Sequence, residues 1–169
     1  MNKSSDTVPV TRCAELDPGA LQTLLSVFGL QLEFVAPHAA IEGSFWGDEE
    51  AGLIDNRLLV RDDTPVHSAL HEACHYICMD SSRREGLHTD AGGDYDEENG
   101  VCYLQILLAE HLPGMSQSQM MADMDAWGYS FRLGCSAQWF KFDADDAANW
   151  LKHHGIIDAA GNPTWKLRH

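Results

Sequence analysis

The chain has 169 residues, 44% hydrophobic and 22% charged, with 26 acidic side chains against 11 lysines and arginines and a net charge of −15. That length and apolar content suit a single domain with a sizeable core, and no apolar run approaches what a membrane span needs. The negative field disfavours nucleic acid and anionic lipid surfaces as partners and favours a basic peptide or protein. The opening Met1-Asn2-Lys3-Ser4-Ser5-Asp6-Thr7 lacks the apolar core of a signal peptide. The five cysteines, Cys13, Cys74, Cys78, Cys102 and Cys135, form no Cys-x-x-Cys pair. They read as reduced thiols, and the chain as cytoplasmic.

Taken in order, residues 1–12 read as a loose tail. Asp17-Pro18-Gly19 predicts a helix start, with Asp17 capping and Pro18 in the first turn. Leu21, Leu24, Leu25 and Phe28 share one face of that helix, which Gly29 ends. Leu30–Val35 alternates as a strand, Ile41–Trp46 is a second candidate, and Gly52–Val60 is a third, broken by a turn at Asp55-Asn56.

Asp63-Thr64-Pro65 then predicts another helix start, with Thr64 or Asp63 capping and Pro65 in the first turn. This helix contains His71-Glu72-x-x-His75. Residues four apart lie on one helical face, so the two imidazoles can reach one metal ion while Glu72 lies beside them as a general base. In zincins, which use this arrangement, a sheet flanks the motif helix and its edge strand can hold an extended peptide.

Residues 80–93 read as a functional loop. A strong helix is predicted over Asp94–Leu112, and its acidic first turn, Asp94-Tyr95-Asp96-Glu97-Glu98, is the best source of a third metal ligand. Glu97 shares a face with Val101, Leu104 and Leu108, where an unpaired carboxylate is costly and a metal would relieve it. Glu97 is therefore the first choice and Glu98, nearer Cys102 and Gln105, the second. The spacing of these acids does not form an EF-hand calcium loop. Cys74 and Cys78 read as packing residues. Arg83 and Arg84 sit near a helix end and offer a possible grip on a substrate carboxylate.

Residues 113–169 read as a helical C-terminal part. One helix is expected over about Ser116–Leu133, with Met120, Met121, Met124 and Trp127 filling the core. Another is expected over Asp143–His153, and Gly161-Asn162-Pro163 marks a turn. The expected fold is α+β: one small zincin-like domain, with a short antiparallel or mixed sheet on the motif helix and a helical second half.

Two family resemblances rest on these residues. Residues 50–112 resemble the ImmA/IrrE-like group of small gluzincin peptidases. The likeness lies in the β-rich lead-in, in His71-Glu72-x-x-His75, and in Glu97-x-x-Gly100-Val101-x-Tyr103-Leu104-x-x-Leu107-Leu108. Glu97 falls on that family's ligand position; Val101 stands where the family has asparagine. This resemblance implies Zn²⁺ and peptide-bond hydrolysis.

Over about twenty residues, Ser68-Ala69-Leu70-His71-Glu72-x-x-His75-Tyr76 with Arg83-Arg84-Glu85 is similar to the elongation factor P hydroxylase family. On that alignment Glu98 falls more easily on the acidic position. The resemblance implies an Fe²⁺ hydroxylase acting on a modified lysine of a translation factor. Its aromatic segment is replaced here by Leu87–Gly93.

In the hydrolase reading the metal lowers the pKa of a water from about 15.7 towards 7, Glu72 takes and returns the proton, and His88, Tyr95 or Tyr103 stabilises the oxyanion, His88 being preferred. In the oxygenase reading the two histidines and a carboxylate form one face for Fe²⁺. A metal-stabilised interaction module without turnover is the third reading.

Overall fold

The structure is a computed structural model that describes residues 9–44, 49–88 and 92–168. Helix α1 spans Ala20–Ser26 and buries Leu21, Leu24 and Leu25. It begins two residues past Pro18, which was expected in the first turn: Gly19 adopts φ 81°, and the Ala20 N–H closes a turn on the Asp17 carbonyl. Gly29, at φ 77°, turns the chain into strand β1, Gln31–Phe34.

Strands β2, Gly52–Ile54, and β3, Arg57–Val60, form a hairpin around Asp55, which takes φ 51°. β3 is central, antiparallel to β2 and parallel to β1 with Gln31 opposite Arg57 and Phe34 opposite Val60. The sheet is thus mixed, as expected of an α+β chain.

The outer edge of β2 is already engaged. The Leu53 N–H donates to the Gly43 carbonyl and the Asp55 N–H to the Leu87 carbonyl. Single bridges join Ser44 to Gly52 and Ile54 to His88. Of the expected strand Ile41–Trp46, residues 41–44 form a turn ending in that bridge, and residues 45 and 46 lie outside the described residues.

Helix α2, Val66–Cys78, carries the histidines and packs its buried face on β2 and β3. Pro65 is its cap residue, not its first turn, and neither expected side-chain cap forms. The Thr64 hydroxyl accepts from the Arg61 N–H, and the Asp63 carboxylate takes the Arg61 guanidinium. The first N–H of the helix donates instead to the Thr11 carbonyl. That contact, the Arg12–Pro65 bridge and the Thr11 N–H on Asp123 Oδ2 pin residues 11–13 across the start of α2, where a loose tail was expected. A strap over an orphaned helix end satisfies donors that a side-chain cap would otherwise take.

Helix α3, Ser81–Arg84, is a single turn capped by Asp80 within the expected loop, and residues 89–91 of that loop lie outside the described residues. Helix α4, Tyr95–Ala109, starts at Asp94, whose carboxylate accepts from the Glu97 N–H. Its Val101, Leu104 and Leu108 pack with Cys74, Ile77 and Cys78 of α2.

Helix α5, Gln117–Trp127, stops at Gly128 (φ 111°), short of the expected Leu133. Met120 and Met124 fill the core, as read from the sequence. Helix α6, Ser136–Phe142, was not foreseen; Ser136 anchors it, its N–H donating to Asp125 and its hydroxyl to the Met121 carbonyl.

Helix α7, Asp145–His153, lies close on α4 because position 100 is glycine: a Cβ there would sit 2.8 Å from the Trp150 ring. The five cysteines are free, four of them buried. No helix among the described residues is long and apolar enough to cross a membrane.

Candidate metal centre

His71 and His75 stand one turn apart on α2, and the first turn of α4 brings Glu98 over them. The two Nε2 atoms are 3.2 Å apart; Glu98 Oε1 lies 3.1 Å from His71 Nε2 and Oε2 3.1 Å from His75 Nε2. Ligands bound tetrahedrally at about 2.05 Å would be separated by about 3.3 Å, and cis ligands of an octahedron at the same bond length by about 2.9 Å. The triangle suits either geometry. Among the described residues this is a group that could hold a metal ion.

The hydrogen bonds around His71 set its tautomer. Gln105, on α4 and fully buried, donates from Nε2 to the His67 carbonyl, which can only accept. Its Oε1 therefore faces His71 Nδ1 at 2.9 Å, and Nδ1 must be the donor. In the neutral ring Nε2 is then a lone pair aimed at the carboxylate and at His75. Such a cluster needs a cation at its centre, either a proton or a metal ion. His75 Nδ1 is buried with no partner among the described residues, so nothing on that side fixes its tautomer.

The electrostatics without metal agree with this reading. Burial alone would lower the His71 pKa, but Tyr129, the Cys102 thiol and Glu98 outweigh it and raise it well above the usual value. Burial alone would raise the Glu98 carboxyl, but hydrogen bonds from His71 and His75 hold it well below the usual range. Both shifts favour a protonated His71 beside an ionised Glu98 in the absence of metal. Glu98 keeps 47% of its side chain exposed against 17% for His71, so the open side of the group is the Glu98 side.

The first-choice ligand, Glu97, is not one of these three grouped side chains. It is buried, 3% exposed, as its helical face implied. Arginines, not a metal, resolve the burial: Arg83 Nη2 donates to both carboxylate oxygens at 2.6 and 2.8 Å, and Arg168 Nη1 donates to Oε1 at 2.9 Å. Gly93, at φ 103°, makes room, since a Cβ there would overlap Glu97 Oε2. Charge-assisted fork bonds of this kind satisfy a buried carboxylate without metal.

Arg83 and Arg84 are accordingly engaged within the fold. Arg83 holds Glu97 and Asp80. Arg84 donates to the carbonyls of Tyr76 and Arg168 and lies over the Tyr76 ring.

His88, the preferred oxyanion donor, stands at the outer edge of β2 with its imidazole 57% exposed and 3.8 Å from Glu42, and it is not one of the three grouped side chains. Tyr95 is exposed, and Tyr103 packs among Trp139 and Phe140. Glu72 is half-buried beside His71.

Residues that sequence reasoning passed over complete the surroundings. Tyr129 packs edge-on to His71, with ring centroids 5.7 Å apart, and its hydroxyl lies 3.1 Å from His67 Nδ1. His67, one turn before His71, is buried, and burial with the nearby charges of His71 and Arg12 lowers its pKa to about 3, so it is neutral. Trp127 packs tilted against His67, with ring centroids 4.9 Å apart, and donates from Nε1 to Glu50 at 2.9 Å. Burial raises the Glu50 carboxyl, the indole N–H draws it back, and the charges of Glu49 and Glu72 push it up again.

One signal was present in the sequence: histidines recur at positions 67, 71 and 75. Gln105 was visible only as the polar residue two turns beyond Glu98. Nothing local marks Tyr129 or Glu50.

Chemically, the group offers two imidazoles and one carboxylate to a cation, with a second carboxylate and a phenol alongside. Comparison with protein-family models, with curated proteins and with solved structures finds no match to this chain.

Proposed function

We propose that this chain is a zinc-dependent hydrolase of amide bonds in a peptide or protein, with His71, His75 and Glu98 as metal ligands and Glu72 as general base. The observation that carries the reading is the 3.1–3.2 Å triangle of donor atoms with Glu72 adjoining it on the same helix. The His71-Glu72-x-x-His75 resemblance to small gluzincin peptidases supports it. The −15 charge and the carboxylates of Glu49, Glu50 and Glu72 favour a basic substrate. The free thiols favour a reducing, cytoplasmic setting.

Zinc would supply a Lewis acid and a water acidified from about 15.7 towards 7. The protein does the rest. Gln105 keeps the His71 lone pair on Nε2. Glu72 accepts the proton of the attacking water and returns it to the leaving nitrogen. The Tyr129 hydroxyl replaces His88 as the donor to the charge that develops on the substrate carbonyl oxygen. Strand addition at β2 is no part of this reading, because residues 43 and 87 already take the outward N–H groups.

A second reading, an Fe²⁺ hydroxylase resembling the elongation factor P hydroxylase family, gains from one observation. The acid at the histidines is Glu98, which that alignment favours over Glu97. Metal analysis of protein purified without chelator, followed by a peptide-cleavage screen, separates the two. The hydrolase reading expects zinc, cleavage of a basic peptide, and loss of at least a thousandfold in rate in Glu72→Gln with metal retained, of the order that a missing general base brings. Iron with no cleavage, or full cleavage by the Glu72→Gln protein, overturns it.

A further inference from the structure

We propose that Arg168 is a positioning residue for the metal centre: through Glu97 it fixes the turn of α4 that carries Glu98 against the end of α2 that carries His75. The inference rests on the reading of His71, His75 and Glu98 as metal ligands and goes beyond it by naming what holds the two helices in register there.

Arg168 reaches this place from a segment that follows α7 and folds back along the molecule. Its backbone N–H donates to the Ile77 carbonyl, and its Nη1 donates to the Cys78 carbonyl at 3.2 Å. Both carbonyls belong to the last turn of α2, which no helical N–H can satisfy. The same Nη1 donates to Glu97 Oε1 at 2.9 Å. Nε donates to His154 Nδ1 at 3.2 Å, and the guanidinium lies 5.2 Å from the Trp150 ring centroid. The Arg168 carbonyl in turn accepts from Arg84 Nη2. One side chain thereby joins the C-terminal end of α2, the N-terminal turn of α4, and α7.

Neutralising Glu97 does not require this arrangement. Arg83 already donates to both Glu97 oxygens. What Arg168 adds is the tie to α2. Ile77 is two residues beyond His75, and Glu97 is the immediate neighbour of Glu98, so the tie spans the two segments that bear the ligands. A planar guanidinium with several donors can make these bonds together, whereas a lysine ammonium would have to choose among them. Residues that hold a ligand in place, without touching the metal, typically change metal affinity by about 10- to 100-fold. Arg168 acts one bond further out, which places the expected effect near the lower end.

The test uses the full chain, with zinc affinity measured by chelator competition and the Co²⁺ absorption spectrum as the reporter of ligand geometry. Arg168→Met should weaken zinc binding about tenfold and alter the Co²⁺ spectrum. Arg132→Met, which removes an exposed arginine paired with Asp143, should do neither. Arg168→Lys should fall between wild type and Arg168→Met. A merely structural Arg168 would lower the melting temperature of the metal-free protein and leave affinity and spectrum unchanged, and that result overturns the inference. If Arg168→Met does not fold, Arg168→Lys decides: a several-fold loss of affinity supports the proposal and wild-type affinity overturns it. Wild-type protein that takes up neither zinc nor cobalt overturns the metal reading and this inference together. Wild-type uptake with an unaffected Arg168→Met overturns this inference alone.

Discussion

Replacing Gln105 by leucine isolates what the buried amide does for the metal centre. Leucine has a similar volume, so packing is roughly kept while both hydrogen bonds, each 2.9 Å long, are lost. The His71 Nδ1–H is then left buried and unpaired, at about 1–3 kcal/mol, while the His67 carbonyl keeps its helical partner. The metal-free fold should therefore lose about 1–3 kcal/mol, read as a lower urea midpoint with an unchanged slope. Independently, His71 is no longer held with its Nε2 lone pair towards Glu98, and zinc affinity should fall about 10- to 100-fold. Gln105→Glu separates the two effects. Its carboxylate still accepts from His71 Nδ1 but cannot donate to the His67 carbonyl, so it should destabilise the fold while keeping zinc affinity within about tenfold of wild type. Wild-type affinity in Gln105→Leu would refute the assignment of the His71 tautomer to Gln105.

Two pH dependences follow from the titrating groups. His67 binds its proton near pH 3 when folded, against an ordinary value near 6.5. Its contribution to stability is complete above about 6.5 and is lost as the pH falls towards 3, by an amount of order 5 kcal/mol at full protonation. The stability difference between wild type and His67→Gln should therefore shrink or reverse over that window; a difference independent of pH contradicts a buried neutral His67. His71 has a raised pKa in the metal-free protein, so zinc must displace its proton. Calorimetry at pH 7 in buffers of different ionisation enthalpy should report release of about one proton, and affinity should fall as pH is lowered. Binding with no proton release would mean that His71 is already neutral or is not a ligand.

The motif helix was legible because every feature behind it is local: Pro65 before it, apolar positions at helical spacing, and histidines four apart. The strand–turn–strand reading of Gly52–Val60 held for the same reason, with Asp55 in the left-handed region. The choice between Glu97 and Glu98 depended on more. Burial correctly singled out Glu97 as a carboxylate in need of a partner, but Arg83 lies 14 residues away and Arg168 lies 71 residues away. Which of two adjacent acids meets the histidines is set by how α4 packs on α2. Helical spacing within α4 cannot carry this information. The expected caps of α2 failed similarly, because the Thr11 carbonyl from a distant strap took the orphan N–H. Helix α5 was overextended because Gly128, in the left-handed region, ends it before the expected break at Gly134-Cys135.

The central claim is that His71, His75 and Glu98, and not Glu97, hold a metal ion. Equilibrium zinc titration of wild type, Glu98→Ala and Glu97→Ala, with folding checked by circular dichroism, addresses it most directly. The account predicts one zinc per wild-type chain and loss of at least a hundredfold in affinity for Glu98→Ala with the fold intact, as expected when a ligand is removed altogether. For Glu97→Ala it predicts a destabilised fold, by about 3–5 kcal/mol from two arginines left without their carboxylate, whose folded fraction still binds zinc. Wild-type affinity in Glu98→Ala, or abolished binding in a stably folded Glu97→Ala, would contradict it.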